Sequence, residues 1–597
     1  MKKLTILLIG ILLCITSFAQ TDLVVDPGFG TLNDAIAANK GDVIYKLKAG
    51  EWYGLSGIIE NADFALTIIG EIPSDPTTMP AMIQIGSDGT GVPFSPMFNI
   101  FDDLTIKNVF IVDANENDVQ PGGNLIRMQN SVKVVIDNVV IDPLNSSNSL
   151  VSTGSNENAK VFFTNSQIYR SGNQVHPNDG VLFQCSISGE QTQGWDTLYI
   201  ENNTFVCTGT WLVANLGSNA IVQIDDFVWI NHNTFIIHKS QLDIAWYENE
   251  YYLTNNLFFD FNTQPYNINW NIYYPDGSSK IGEPHSEMCL VNADTLEGET
   301  LPSSRVQFVE YNLWYLNPKI AEVPLWGLTH TKDNDGVTPL PKAYLMPLVW
   351  PKDSANVNRE ANMFYGNPDF PNFKYGNTLE IDPFLTQEEI YELSDSLAVW
   401  SLPSAQQHCW GFDPANLILP LVQWPKFWWN ADDNGLGNPT AWPRFDGTYK
   451  NEAALKGSIE GLPLGDLNWY PDAKALWEEN QDMIEAHILA LNETQISIVG
   501  VESINSNIPT SYSLSQNYPN PFNLTTLIKF DVPQSELVTL KVYDLLGQEV
   551  AILVNEEVDA GYHQVTFNAS DSDLTTGIYF YTLNAGGFTM SKKMILY

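Results

Sequence analysis

The chain has 597 residues, with 70 Asp and Glu against 28 Lys and Arg, for a formal net charge of −42. A surface this acidic repels nucleic acid and anionic membranes. It also argues against a bare groove for a polyanionic sugar unless divalent cations bridge the two, and the favoured reading of the charge is plain solubility in a salty exterior.

At the N-terminus, Lys2 and Lys3 precede an apolar run over 4–18, and Ser17-Phe18-Ala19 offers a cleavage site before Gln20. Residues 1–19 therefore read as a secretory leader, too short and too early to be a lasting membrane span. Leu13 before Cys14 is not the small residue a lipoprotein site needs, so no lipid anchor is expected. Losing Lys2 and Lys3 moves the charge from −42 to −44. No later stretch is long and apolar enough to span a bilayer. Residues 30–39 read as a short amphipathic helix and 41–47 as the first strand, an order that caps the open edge of a repeating sheet. Further strands are expected at 65–69 and 82–85.

From 104 to 258 one phrase recurs: apolar, any, apolar, any, Asn. It stands at Leu104-Thr105-Ile106-Lys107-Asn108, Val134-Val135-Ile136-Asp137-Asn138, Val161-Phe162-Phe163-Thr164-Asn165, Leu198-Tyr199-Ile200-Glu201-Asn202 and Tyr251-Tyr252-Leu253-Thr254-Asn255. Two copies depart at the Asn, Val181-Leu182-Phe183-Gln184-Cys185 and Val228-Trp229-Ile230-Asn231-His232. The third residue falls at 106, 136, 163, 183, 200, 230 and 253, an irregular period of 17 to 30 residues. A fixed phrase at such a period marks a solenoid, and alternation makes each copy a strand with one buried face. The Asn suits a sharp left-handed bend, and stacked Asn side chains can form an amide ladder between coils. The pattern predicts a right-handed parallel β-helix. An antiparallel sandwich is disfavoured because Asn-Gly hairpin signals are missing between the phrases. Ile106, Ile136, Phe163, Phe183, Ile200, Ile230 and Leu253 are expected to stack inside it, about 4.8 Å per coil.

The repeat resembles the pectate-lyase-like superfamily over roughly 22–320. Val228-Trp229-Ile230-Asn231-His232-Asn233-Thr234-Phe235 is similar to a Trp-Ile-Asp-His string of the pectate lyases, with Asn231 where those have Asp. In that family the string is not the catalytic centre, so the resemblance implies fold rather than activity. Lyases of the superfamily use an Arg or Lys near Ca²⁺ ligands. The best such cluster here is Arg170, His176 and Asp179, in a loop that directly follows a repeat strand and could hold a carboxylate-tuned base. The alternative is a solvated turn. Gly-His-Gly and Arg-Ile-Lys strings of the polygalacturonase kind are absent.

Aromatic residues crowd the end of the repeat. Trp246, Tyr247, Tyr266, Trp270, Tyr273 and Tyr274 fall within thirty residues and partly outside the strand phrase, so they are candidates for stacking on sugar rings. The competing reading is that aromatics here fill or cover the solenoid core. Four cysteines remain after the leader, Cys185, Cys207, Cys289 and Cys409. They allow three pairings and make no framework, and Cys185, at a ladder position, suits a buried thiol as well as a bridge.

Past 261 the phrase blurs, with one more coil expected at 306–314. Residues 321–491 form a Trp/Pro-rich extension expected to wrap the solenoid. Within it, Asp333-Asn334-Asp335-Gly336 and the loop containing Asp432, Asp433 and Asn434 look half like Ca²⁺ sites. The second opens like an EF-hand, but Ala441 stands where the closing Glu belongs. Ca²⁺ is the one cofactor the sequence suggests, with an Asx/Gly turn as the alternative. Thr386-Gln387-Glu388-Glu389 is a capping box. A helix over 473–491, capped by Asp472, places Leu476, Trp477, Met483, Ile484, Ile488 and Leu491 on one face and Glu478, Glu479, Asp482 and Glu485 opposite. It is expected to dock on the solenoid.

Residues 492–511 read as a linker. After it come five or more short alternating strands, at 527–532, 538–543, 548–553, 561–568 and 577–584, the pattern of a small Ig-like β-sandwich. Tyr518-Pro519-Asn520-Pro521-Phe522-Asn523, Val542-Tyr543-Asp544-Leu545-Leu546-Gly547, Gly577-Ile578-Tyr579-Phe580-Tyr581 and Ser591-Lys592-Lys593-Met594 resemble the C-terminal sorting domain of the type IX secretion system. That resemblance implies a Bacteroidetes-type source and export across both membranes through the type IX machinery. Surface attachment, or release after scission of 512–597, would follow. The expected architecture is all-β: leader 1–19, β-helix 20–320, extension 321–491, linker 492–511 and sorting domain 512–597. The expected function is engagement of extracellular polysaccharide by a binding or adhesion module, with a polysaccharide lyase as the alternative.

Overall fold

The phrase does fold as strands of a solenoid. The computed structural model describes residues 20–115, 123–142, 149–153, 158–169, 181–187, 194–206, 208, 211–217, 224–238, 243–244, 247–261, 271–273, 279–281, 305–319, 371–392, 394–395, 445–496, 498, 512–515, 517, 520, 522, 525–545, 547–569 and 574–596. Three parallel sheets run through it. Sheet A has eleven strands in sequence order, from Thr21–Val24 to Phe373–Gly376, and takes the phrase strands Leu104–Lys107, Lys133–Asp137, Lys160–Thr164, Thr197–Glu201, Ile224–Asn231 and Tyr247–Thr254. Sheet B also has eleven, from Gly28–Phe29 to Leu379–Glu380, and sheet C has seven, from Ile59–Glu60 to Asp243–Ile244. The chain visits A, then B, then C, and returns to A one coil on. The A-to-B bend is short, whereas the stretch from B through C varies in length, which is why the period is irregular.

The bend explains the Asn. Asn108, Asn138, Asn165, Asn202 and Asn255 all have φ between 53° and 58°, the left-handed region that Asn tolerates best after Gly. His232, Tyr311 and Asn377 hold the same bend in their coils, at φ 53°, 56° and 51°. The amide ladder lies one residue further on. Asn203 Nδ2 donates to Asn233 Oδ1 (2.9 Å), Asn233 to Asn256 (3.0 Å) and Asn256 to Asn312 (3.0 Å), all buried. Each of these Oδ1 atoms also accepts a backbone N–H from the coil before. At the bend position itself, Asn138 Nδ2 reaches Asn108 Oδ1 at 2.9 Å.

Ile106, Ile136, Phe163, Ile200, Ile230 and Leu253 stand in register along sheet A and are fully buried. Phe183 is buried too, but its strand, Val181–Ile187, belongs to sheet C, between Val151–Thr153 and Trp211–Gly217. Alternation reports which face is buried and not which of three sheets a strand joins. For the same reason Cys185 is not at the bend: it is a buried free thiol in the core, raised by burial and by Asp225. Phe205, Phe235, Phe258 and Trp314 stack down the interior of sheet B at centroid separations of 4.7, 4.9 and 4.6 Å.

The N-terminal end is closed by helix α1, Thr31–Asn39, which puts Leu32 and Ile36 into the core. The first strand is earlier than expected: Thr21–Val24 pairs in parallel with Val43–Leu47. The chain forms two compact units, the first comprising Met1–Ile381, Gln387–Thr448 and Gly457–Ile496, the second Asp382–Thr386, Tyr449–Lys456 and Ser497–Tyr597. In the second, a three-stranded antiparallel sheet (Ser513–Leu514, Thr525–Val532, Gly561–Asn568) and a four-stranded one (Glu549–Val558, Glu536–Tyr543, Gly577–Ala585, Phe588–Leu596) share one core. Thr526, Ile528, Phe530 and Val532 alternate inward, as a sandwich requires.

Candidate functional site

The outward face of sheet A comes in two conditions. Along its later coils, segment 457–496 lies over the A-to-B bend. Tyr311 Oη and Asn377 Nδ2 each donate to the Glu493 carbonyl at 2.9 Å. Ile459 N donates to Asn255 Oδ1 at 2.8 Å, and Asp466 N to Thr234 Oγ1 at 2.8 Å. Asn468 Nδ2 donates to the Asn202 carbonyl at 2.9 Å, and Lys474 Nζ to Asn165 Oδ1 at 2.8 Å. Helix α2, Pro471–Leu489, follows, and Tyr199 Oη lies 3.1 Å from Glu485 Oε1. Helix α2 docks as expected, with one face differently composed: Met483 is exposed and Glu485 buried. Glu485 turns inward, where Gln481 Nε2 donates to its Oε1 at 2.8 Å and Tyr199 Oη lies 3.1 Å away.

This covered face is charged inside. The Glu201 carboxylate accepts from Tyr199 Oη (2.7 Å), Trp229 Nε1 (2.9 Å) and Asn231 Nδ2 (2.8 Å). Burial, then the Glu201 charge, push Glu485 up to about 7 against its hydrogen bonds. Burial pushes Asp466 up to about 6 and holds Lys474 below the ordinary lysine range. His232 and Glu460 are both fully buried. His232 Nε2 faces Glu460 Oε1, and its Nδ1 faces the Gly465 carbonyl at 3.0 Å. The His in the pectate-lyase-like string is therefore an anchor for the covering segment. The Tyr199, Trp229, Tyr252 and Phe308 rings form a ladder on this outward face, but all are buried and present no sugar platform.

The earlier coils differ. Lys107 Nζ lies 3.0 Å from Asp137 Oδ2, Lys160 pairs with Asp196 at 3.3 Å, and Lys46 with Asp22 at 3.7 Å. Burial would raise Asp137, but hydrogen bonds from Asn165, Lys107 and Thr164 outweigh it and hold the carboxyl below its usual range.

Around the corner, the first coils of sheet B carry exposed aromatics. Phe29 is 59% exposed and Trp52 37%. Tyr53 points into the core, so its neighbours Trp52 and Gly54 face out. The indole lies on the Gly54 backbone: a Cβ there would sit 2.4 Å from Cζ2 of Trp52 and 3.0 Å from Cδ2 of Phe29. Only glycine admits that approach. Trp52 Nε1 donates to Gln84 Oε1 at 2.8 Å, which fixes the ring. Gln84 Nε2 makes no hydrogen bond among the described residues. Two apolar rings on a flat glycine floor, with an amide donor beside them, can stack on a sugar ring and bond its hydroxyls. Sequence reading passed over this pair because Phe29 and Trp52 are far apart in the chain. The Trp-Tyr-Gly alternation, with an aromatic residue outward and glycine two positions on, was the available signal.

The residues singled out from sequence fall elsewhere. Arg170, His176 and Asp179 lie outside the described residues, as do Trp246, Tyr266, Trp270, Tyr274, Asp432, Asp433, Asn434, Cys207, Cys289, Cys409 and the loop 333–336. Tyr247 begins the sheet A strand Tyr247–Thr254, and Tyr273 ends the strand Asn271–Tyr273 of a small hairpin; their side chains also lie outside the description. Among the described residues no three His, Cys, Asp or Glu side chains converge on a metal position, and no helix is long and apolar enough to cross a membrane.

Residues 516–597 match a family described as "Secretion system C-terminal sorting domain". The C-terminal unit carries a sorting domain. The protein is therefore secreted through the type IX system to the cell surface or the extracellular space. No curated protein matches the chain. A solved structure titled "Structure of PL6 family alginate lyase AlyGC" is similar at 16% identity and a TM-score of 0.26, over 41% of this chain and 37% of that one. The match thus spans well under two thirds of that lyase, and at such a score it carries no argument about activity.

Proposed function

We propose that this secreted β-helix protein binds extracellular carbohydrate as a binding or adhesion module, through the aromatic platform at its N-terminal coils. The observation that supports this most is the exposed Phe29–Trp52 pair on its glycine floor beside Gln84. Exposed aromatic surface on a soluble, highly charged protein usually marks a contact site. The net charge of −42 favours neutral glycans, or uronates only with Ca²⁺ as a bridge. The run from Trp246 to Tyr274 is a second proposed contact, and the loop with Asp432, Asp433 and Asn434 a proposed Ca²⁺ position. The proposed organisation runs leader 1–19, solenoid 20–320, extension 321–491, linker 492–511 and tail 512–597.

The test is a glycan panel with the secreted protein, with and without Ca²⁺. Binding of at least one neutral glycan is expected. Silence across the panel leaves a purely structural surface protein as the better account. The alternative, a lyase using Arg170, His176 and Asp179, predicts that uronate polymers gain ultraviolet absorbance from the unsaturated product, whereas a binding module leaves the spectrum flat.

A further inference from the structure

The sorting unit includes two short pieces of the extension, Asp382–Thr386 and Tyr449–Lys456. They are distant in sequence yet built as one object. Leu385 and Tyr449 form an antiparallel bridge. Lys450 N donates to the Pro383 and Phe384 carbonyls at 3.1 Å, and Asn451 N to the Pro383 carbonyl at 3.0 Å. Asn451 Nδ2 reaches the Asp382 carbonyl at 2.8 Å, while its Oδ1 caps the helical turn Glu452–Leu455 through Ala453 N. The two pieces are thus ordered by their own bonds.

The sorting domain engages this object through Lys529. Its neighbours Ile528 and Phe530 alternate into the sandwich core, so Lys529 faces outward from the three-stranded sheet. Its Nζ lies 2.9 Å from Asp382 Oδ2 and 4.2 Å from the centroid of the Phe384 ring. The Asp382 side chain is 1% exposed and Phe384 is buried. One cation therefore meets a desolvated carboxylate and an aromatic face at once, an arrangement costly to break because the carboxylate would be left buried without its cation. At the head of the neighbouring strand, Glu452 Cγ lies 3.5 Å from where a Cβ on Gly561 would be, so the second piece also touches the sandwich.

We infer that Asp382–Thr386 and Tyr449–Lys456 are a docking clasp for the sorting domain, which holds the domain non-covalently once the chain is cut in the linker. Both pieces are covalently continuous with the extension on each side, so scission within 499–511 severs the peptide and leaves the Lys529 contacts intact. Scission and release are then separate events, and release requires the clasp to open. This inference is independent of the carbohydrate reading.

To test it, a recognition sequence for a site-specific protease is inserted within 499–511 of the full-length protein, which is cut and passed over a size-exclusion column under native conditions. The tail of the wild-type sequence is expected to co-elute with the remainder. K529E should weaken retention at least about tenfold, as loss of one partner of a desolvated pair does, and the double variant K529E/D382K should recover it. Circular dichroism of the released K529E tail checks that the sandwich is still folded. Immediate separation of the wild-type tail, or K529E retention equal to wild type, overturns the inference.

Discussion

Sheet A can be compared with itself, early coils against late. One outward row reads Lys107, Asp137 and Thr164 in the early coils and Glu201, Asn231, Thr254 and Glu310 in the late ones. The adjacent row passes from Thr105 and Val135 to Tyr199, Trp229, Tyr252 and Phe308. The inward rows hardly change. The difference lies in what covers the sheet among the described residues: segment 457–496 lies at the bend of the late coils, whereas Thr105, Lys107, Val135 and Asp137 of the early ones stay part-exposed. A solenoid repeat constrains its inward positions through packing, and leaves the outward ones to whatever they face. The ladder of Tyr199, Trp229, Tyr252 and Phe308 on the outward face is buried, while exposed rings lie on sheet B in the first coils.

The comparison can be broken in order of expected effect. Phe235→Ala removes a middle ring of the interior stack of the late coils, and should cost about 3–5 kcal/mol in denaturant unfolding. A loss under 1 kcal/mol would mean the stack is not continuous. Next is His232→Asn, which restores the bend residue of the other coils. If the repeat alone mattered it would be neutral. Because the buried Glu460 would lose His232 and keep the long bond from Asn255 Nδ2 at 3.4 Å, a loss of about 3 kcal/mol is expected, and a neutral result would detach the covering segment from the account.

Titration supplies a smaller effect. Burial raises Glu485 to about 7 and Asp113 to about 8, and the Asp113 oxygens have no hydrogen-bond partner among the described residues. A folded value above the unfolded one means the folded state binds the proton more tightly. The stabilisation is complete below about pH 4 and is lost as pH rises through 7 and 8. Glu485→Gln and Asp113→Asn should each flatten that decline and raise the melting temperature at pH 8.5. A variant that melts lower than wild type there would contradict the sign. The smallest effect is Lys107→Ala in the open half, where a half-exposed ion pair is worth about 0–1 kcal/mol and should weaken further in salt.

Much of this fold was legible. Ile106, Ile136 and Phe163 show their burial by alternation, and Asn108 and Asn138 show the bend because few other residues take a left-handed φ cheaply. The sheet that Phe183 joins was hidden, since period two looks alike in all three. The bonds of His232 to Glu460 and Gly465 were hidden too, because sequence patterns are local and these partners lie over 200 residues away. Tyr311 and His232 depart from Asn for reasons found only in the covering segment. The platform was hidden because neither Phe29 nor Trp52 is unusual alone. Their shared floor, Gly54, appears only when the coils stack.

The central claim is that the open N-terminal coils bind carbohydrate and the covered face does not. The most direct measurement is titration of a panel-selected neutral oligosaccharide into wild-type protein, Trp52→Ala and Trp270→Ala. The account predicts that Trp52→Ala weakens affinity at least about fivefold, as loss of one ring stack worth about 1 kcal/mol does, with the melting temperature unchanged. Unchanged affinity in Trp52→Ala, with loss in Trp270→Ala, would contradict it and move the site to the aromatic run 246–274.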